Sequence, residues 1–105
     1  MRIYLANSPW RRAGGLLIRP KLLAGEALWL RPCRSVHTFG MRYPISVFFL
    51  DQQNTVVSYR LDVPPNRIVC CMRARSVCEM LPVSTEHYAG VVASLERALS
   101  LNTVV

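Results

Sequence analysis

Several features that would mark out a protein class are scarce or missing in this sequence. No apolar run approaches the roughly 20 residues that a membrane-spanning helix needs. The four cysteines include no pair at the two-residue spacing of zinc knuckles or thioredoxin-type motifs, and only two histidines are present to complete a metal site. The sequence has neither a glycine-rich phosphate loop nor a serine in a nucleophile elbow. A membrane span, a metal centre, a cofactor and a standard hydrolase site are therefore not predicted.

The N-terminus also lacks the pattern of a signal peptide. Residues 1–12 contain no continuous apolar stretch of the length that such a peptide needs. If the chain is complete, we expect it to stay in the cytoplasm, where thiols are kept reduced. We interpret Cys33, Cys70, Cys71 and Cys78 as ordinary core side chains in preference to redox or metal ligands.

Acidic residues are few, and the resulting positive charge is unevenly distributed. Thirteen Arg and Lys against six Asp and Glu give a net charge of +7. The first 45 residues hold eight basic side chains and one acidic one, whereas residues 46–105 hold five of each sign. Such asymmetry is typical of a surface for phosphate, nucleic acid or an acidic partner. The alternative, which we favour, is a set of solvated arginines without a common function.

Apolar residues are plentiful enough for a single-domain core over residues 1–105, because 51% of the chain is hydrophobic and 18% is charged. Apolar and alternating runs predict strands over residues 2–6, 27–30, 45–50, 55–61, 67–72 and 74–81. Capping residues and helical spacing predict helices over 9–18 and 85–99. The predicted fold class is α+β, mainly β. It is a compact antiparallel or mixed, barrel-like sheet of about five to six strands, with a short helix in the N-terminal half and an amphipathic C-terminal helix.

The most informative stretch runs from His37 to Asp51. Gly40 and Pro44 interrupt any regular ladder near its start. In the run 45–50, Ile45, Val47 and Phe49 form one apolar face, and Phe48 and Leu50 make the other face apolar too. This pattern predicts a central strand covered on both faces. The run 51–54 has the Asp and Asn side chains of a hairpin turn.

This stretch also carries a family resemblance. It contains the run HTFGMRYPI at residues 37–45 and the run VFFLD at 47–51, and it resembles the central signature of a family of small prokaryotic proteins, domain of unknown function 192. Residues 15–22 look like that family's glycine-leucine-methionine helix, and residues 74–80 look like its late strand. The resemblance covers roughly residues 11–81. It implies a compact β-rich domain with small helices and no defined reaction. Ser46 stands where the family usually has an aspartate, so any activity of that acid is absent here.

Five charged or titratable residues form the candidate ligand-binding site: His37, Arg42, Asp51, Arg75 and Glu79. If the strand that carries Arg75 and Glu79 lies near the central hairpin, the planar forks of the two arginines would suit a carboxylate or a phosphate. The alternative, favoured by residue type alone, is a structural network of arginines and acids at the edge of the core.

Three functions remain open. The main prediction is a non-enzymatic binding or accessory module with a cationic site around His37 and Arg42, for a small anion or a protein partner. The second is a nucleic-acid-binding protein that uses its basic first 45 residues, with Trp10 and Trp29 as stacking surfaces. The third is an enzyme with His37 and Glu79 as acid and base, although no catalytic motif supports it.

Overall fold

The computed structural model describes residues 1–6 and 22–101. Within these ranges there are seven strands and one helix. The strands are β1 (Arg2–Ala6), β2 (Glu26–Leu30), β3 (Ser35–His37), β4 (Ile45–Leu50), β5 (Val56–Val63), β6 (Ile68–Cys70) and β7 (Ser76–Met80), and the helix is α1 (Tyr88–Ser100). Among the described residues, no helix has both the length and the apolar character needed to cross a membrane.

Five of the strands form one mixed sheet in the order β1-β2-β7-β4-β5. β1 is parallel to β2, and the other neighbours are antiparallel. β3 and β6 form a second, two-stranded sheet. The mainly β class with a mixed sheet is therefore confirmed. Barrel-like closure is not confirmed, because the sheet is open with β1 and β5 as its edges. The helix predicted over 9–18 lies outside the described residues.

β4 lies in the interior of the large sheet, and all six of its residues are buried. Phe48 and Leu50 belong to the core cluster that contains the buried residues of α1. Val47 and Phe49 belong to a second cluster, which includes Val36 of β3. Because α1 covers one face and the β3–β6 sheet covers the other, β4 has to be apolar on both sides, as predicted.

The turn between β4 and β5 is the predicted hairpin turn, and Asp51 organises it. The Asp51 Oδ1 atom accepts the backbone N–H groups of Gln53 and Thr55, both at 2.9 Å. The Asn54 N–H donates to the Asp51 carbonyl at 3.0 Å. Asn54 has a φ of 62°, a left-handed conformation that asparagine tolerates better than most residues. Side-chain chemistry at the first and fourth positions therefore selects this turn.

Two differences from the sequence prediction go beyond a shift of one or two residues at a strand end. β3 is missing from that prediction, because it has only three residues and only Val36 of them is buried, which is too short for a periodic pattern. Helix α1 is predicted, but it begins at Tyr88 after His87 as N-cap, with no side-chain cap. Ser84 and Thr85 are the capping candidates in the sequence, and the Ser84 hydroxyl pairs with His87 Nδ1 at 2.7 Å.

None of the four cysteines, which all lie within the described residues, forms a disulfide bond, and they do not share one environment. Cys78 is buried in the core as predicted, where burial, and then the charge of Glu79, raises the pKa of its thiol. Cys70 is exposed, so its interpretation as a core side chain is wrong. Among the described strands β6 pairs with β3 alone, and both its first residue, Ile68, and its last, Cys70, are exposed.

The Glu26 carboxylate closes the turn that precedes β2. Its Oε1 atom accepts the Leu23 N–H at 2.8 Å, and its Oε2 atom accepts the Tyr4 hydroxyl at 2.9 Å. The Leu23 N–H first, and the Tyr4 hydroxyl second, hold the pKa of the Glu26 carboxyl below its ordinary value, because both bonds favour the charged form.

We expect the wild-type protein to lose stability in acid more steeply than a Glu26→Gln variant. The two bonds stabilise the fold fully above the pKa of an unfolded-chain glutamate, about 4.3, and this contribution is lost as the pH falls through the lower folded-state pKa. Glutamine keeps an acceptor oxygen but does not titrate. Urea midpoints measured across the acid range test this, and equal acid slopes for the two proteins would contradict it.

Candidate functional site

A cleft lies at the end of the large sheet where β2 and β4 finish and β7 begins. These three strands are neighbours in the order β2-β7-β4, and β7 is antiparallel to both. Residues at the C-terminal ends of β2 and β4 therefore meet residues at the N-terminal end of β7. The cleft, called the strand-end cleft below, has a volume of about 400 Å³ and is lined by Trp29, Arg31, Pro32, Asp51, Gln52, Asn54, Arg75 and Ser76.

Two polar side chains in the wall of the strand-end cleft are buried without a partner in the described part of the chain. Trp29 is 5% exposed and Ser76 is 3% exposed. The Trp29 Nε1 and Ser76 Oγ atoms make no hydrogen bond with any described residue. A buried donor left unpaired costs about 1–3 kcal/mol, and folded proteins leave few of them. A polar group that entered the cleft and accepted these bonds would recover that free energy.

Two arginines line the strand-end cleft. The Arg31 guanidinium lies over the Trp29 ring, 4.5 Å from its centroid, in cation–π geometry. The Arg75 backbone is held on both sides, because its N–H donates to the Leu50 carbonyl at 2.7 Å and its carbonyl accepts the Cys33 N–H at 3.0 Å. The Arg75 side chain itself is exposed. The sheet therefore positions this arginine while its guanidinium stays accessible.

Asp51 adds a carboxylate to the same cleft. Its Oδ1 atom is occupied by the two N–H groups of the hairpin turn. Its Oδ2 atom accepts no hydrogen bond from the described residues, although a carboxylate oxygen can accept two. The strand-end cleft thus presents cationic donors and an anionic acceptor together.

His37 and Arg42 lie toward the opposite end of β4 from Asp51. Arg42 precedes the strand and Asp51 follows it, and six residues make a strand about 17 Å long. The His37 ring stacks on Phe39, with 5.2 Å between the ring centroids. Its Nδ1 atom is buried and makes no hydrogen bond with a described residue. Arg42 is exposed.

Thr38 holds this end of β3 beside the start of β4. Its side chain is fully buried, and Oγ1 donates to the Pro64 carbonyl at 2.7 Å while accepting the Arg67 N–H at 2.9 Å. Pro64 follows Val63, the residue paired with Ile45. The loop then turns through Gly40, whose φ of 80° is one that glycine adopts without strain.

Glu79 lies inside the large sheet. It is fully buried, and it pairs with Leu28 on β2 and with Val47 on β4. It belongs to the interior of β7, away from the lining of the strand-end cleft.

The structure therefore brings together two of the five predicted site residues, Asp51 and Arg75, and separates the other three from them. The cleft also contains Trp29, Arg31 and Ser76, which the sequence analysis did not place in the site. No local pattern marks Ser76, because only the pairing of β7 between β2 and β4 brings it to Trp29 and Asp51.

Two solved structures share this fold at low sequence identity. A protein of unknown function from Novosphingobium aromaticivorans has a TM-score of 0.64 and 18% identity, over 87% of this chain and 65% of its own. A Sinorhizobium meliloti protein described as a "putative transcription regulator" has a TM-score of 0.70 and 15% identity, over 83% of this chain and 73% of its own. The chain thus spans somewhat less than two thirds of the Novosphingobium protein. No curated protein matches the chain.

One family profile covers most of the sequence. It matches residues 1–95, a range that contains all seven described strands and the start of α1, and it is described as "Uncharacterized ACR". The resemblance noted from residues 11–81 is thereby confirmed. The chain belongs to the domain of unknown function 192 family.

Proposed function

We propose that this domain is a non-enzymatic binding module that holds a small anion, a carboxylate or a phosphate, in the strand-end cleft. The observation that carries the proposal is a pair of buried donors, Trp29 Nε1 and Ser76 Oγ, that have no hydrogen-bond partner among the described residues. They lie in the wall of a cleft that also contains Arg31 and Arg75. Both donor atoms are buried, so binding includes a small side-chain adjustment that exposes them to the ligand.

The chemistry of the lining favours an anion over a neutral ligand. Guanidinium groups form paired N–H···O bonds with the planar oxygens of a carboxylate or phosphate, and such charge-assisted bonds are roughly twice as strong as neutral ones. The indole and hydroxyl groups would add two further donors. The Trp29 ring and Pro32 supply an apolar wall that limits competing water.

Binding is favoured over catalysis by the positions of the acid–base candidates. His37 ends β3, whereas Glu79 is the fourth of the five residues of β7 and is buried in the sheet interior. In the cleft, Asp51 uses one oxygen to hold the hairpin turn. A general base has to lie within hydrogen-bond reach of the proton that it removes. The described residues therefore support a group that holds a ligand better than one that transforms it.

We expect Arg75→Ala to weaken binding of acetate or phosphate at least about tenfold, which corresponds to about 1.4 kcal/mol. The reason is the loss of a charge-assisted pair of hydrogen bonds. The measurement is a titration followed by amide and indole N–H chemical shifts, in which the Trp29 indole N–H reports directly on the proposed contact. The control is Arg60→Ala, because Arg60 is equally cationic and exposed but lies on β5, outside the cleft.

An unchanged affinity in Arg75→Ala would overturn the proposal. So would shifts that spread over all exposed arginines without affecting Trp29 and Ser76. If a single-stranded oligonucleotide binds and both arginine variants weaken it equally, with a linear log–log salt dependence, the nucleic-acid alternative replaces the cleft. Arg11, Arg12, Arg19 and Lys21, which are half of the basic residues behind that alternative, lie outside the described residues.

A further inference from the structure

Asp51 is an unexpected neighbour for a simple anion. It lines the same cleft as Arg31 and Arg75, but its side chain makes only the two turn bonds through Oδ1 among the described residues. A like charge in the cleft weakens the binding of any ligand that is only negative. Oδ2 is correspondingly well suited to a donor on the ligand, because a carboxylate accepts charge-assisted bonds from ammonium groups.

We infer that the ligand of the strand-end cleft is a small zwitterion of the α-amino acid class. This inference rests on the proposed function and extends it. The ligand carboxylate meets the donors of Arg75, Ser76 and the Trp29 indole, and the ligand ammonium group meets Asp51 Oδ2. Both ligand charges are then paired, the carboxylate with Arg75 and the ammonium group with Asp51, so the binding of either charge is compensated.

The placement of the groups agrees with a ligand whose two charges lie close together. Asp51 directly follows Leu50, and Leu50 is the residue paired with Ser76 across β4 and β7. The Arg75 N–H bonds to the Leu50 carbonyl at 2.7 Å. The backbones from which the Asp51 and Arg75 side chains extend therefore lie at adjacent strand ends, about 5 Å apart.

The size and the apolar wall of the cleft limit the ligand further. A cleft of about 400 Å³ lies at the small end of ligand sites, which measure about 300–1,000 Å³. A free amino acid fits such a space, and a small apolar side chain on it would lie against the Trp29 ring and Pro32.

The test compares alanine with N-acetylalanine, which lacks the ammonium group, and with alaninamide, which lacks the carboxylate. We expect alanine to bind the wild-type protein at least about tenfold more tightly than N-acetylalanine, by chemical-shift titration of the Trp29 indole N–H. In Asp51→Asn this preference falls to about twofold or less. Asparagine keeps an acceptor oxygen for the Gln53 and Thr55 N–H groups, so the hairpin turn survives. Asp62→Asn, which removes an exposed carboxylate of β5, keeps the preference.

The possible results distinguish the proposal of anion binding from the inference that the ligand is a zwitterion. If alanine and N-acetylalanine bind the wild-type cleft equally, the zwitterion inference is overturned and anion binding stands. If alaninamide binds as tightly as alanine, the arginines do not recognise a carboxylate and the proposed function fails. If none of the three ligands shifts the Trp29 and Ser76 resonances, both proposals fail.

Discussion

Replacement of Thr38 by valine is expected to destabilise the protein by about 2–3 kcal/mol. Valine has nearly the same shape as threonine but no hydroxyl group. It would leave the Arg67 N–H and the Pro64 carbonyl without the bonds that Thr38 Oγ1 makes to them at 2.9 and 2.7 Å. Each group deprived of its partner costs about 1–3 kcal/mol where it is buried, and less where water replaces the lost bond.

Chemical unfolding measures this effect, with Thr38→Ser as the matched control. Serine keeps the hydroxyl and loses one methyl group, for which we expect a loss of about 1 kcal/mol. A valine variant as stable as the serine variant would show that the hydroxyl does not hold the loop to the β5–β6 connection. The result also bears on His37, because Thr38 fixes the backbone from which the stacked His37 and Phe39 rings extend.

Replacement of Ser46 by alanine is expected to cost about 2 kcal/mol. Ser46 is fully buried in β4, and its hydroxyl donates to the Leu61 carbonyl and accepts the Val83 N–H at 2.8 Å. One hydroxyl therefore connects β4, β5 and the segment that leads into α1. Alanine removes both bonds and leaves a part-buried N–H and a part-buried carbonyl without these partners.

Ser46→Asp distinguishes the hydroxyl from the acid that the family resemblance places at this position. A carboxylate can accept the Val83 N–H, but when ionised it cannot donate to the Leu61 carbonyl. We expect this variant to be less stable than Ser46→Ala at neutral pH and to gain relative stability in acid. Burial raises the pKa of such an acid, so the folded state binds its proton more tightly than the unfolded state, and stability falls as the pH rises.

The pH dependence of urea unfolding separates the two variants. A Ser46→Asp protein that is as stable as the wild type at neutral pH would mean that the site accommodates an ionised acid. In this chain the Ser46 hydroxyl bonds β4 to β5 and to the segment before α1. Ser46 lies at the opposite end of β4 from the strand-end cleft. Whatever the acid contributes in other members, Ser46 acts here on the packing of the large sheet.

The candidate site is predictable from the sequence only in part. Residue type identifies Asp51 and Arg75, and these two line one cleft. His37 and Arg42 are predicted to join these two residues because they lie close to β4 in the sequence. A strand about 17 Å long, however, separates its two ends by more than any side chain reaches. Glu79 shares a strand segment with Arg75 in the sequence prediction, yet β7 carries Glu79 into the interior.

Local sequence patterns by themselves determine much of this protein. The apolar run 45–50 specifies a strand covered on both faces, Asp51 and Asn54 specify the turn after it, and the spacing of Val91, Val92, Leu95 and Leu99 specifies α1. Each of these follows from neighbours within a few residues. Only the tertiary structure decides that β7 pairs between β2 and β4, because strand order depends on contacts between distant segments. That pairing places Trp29, Asp51 and Ser76 around one cleft, and it leaves the His37 loop at the far end of β4.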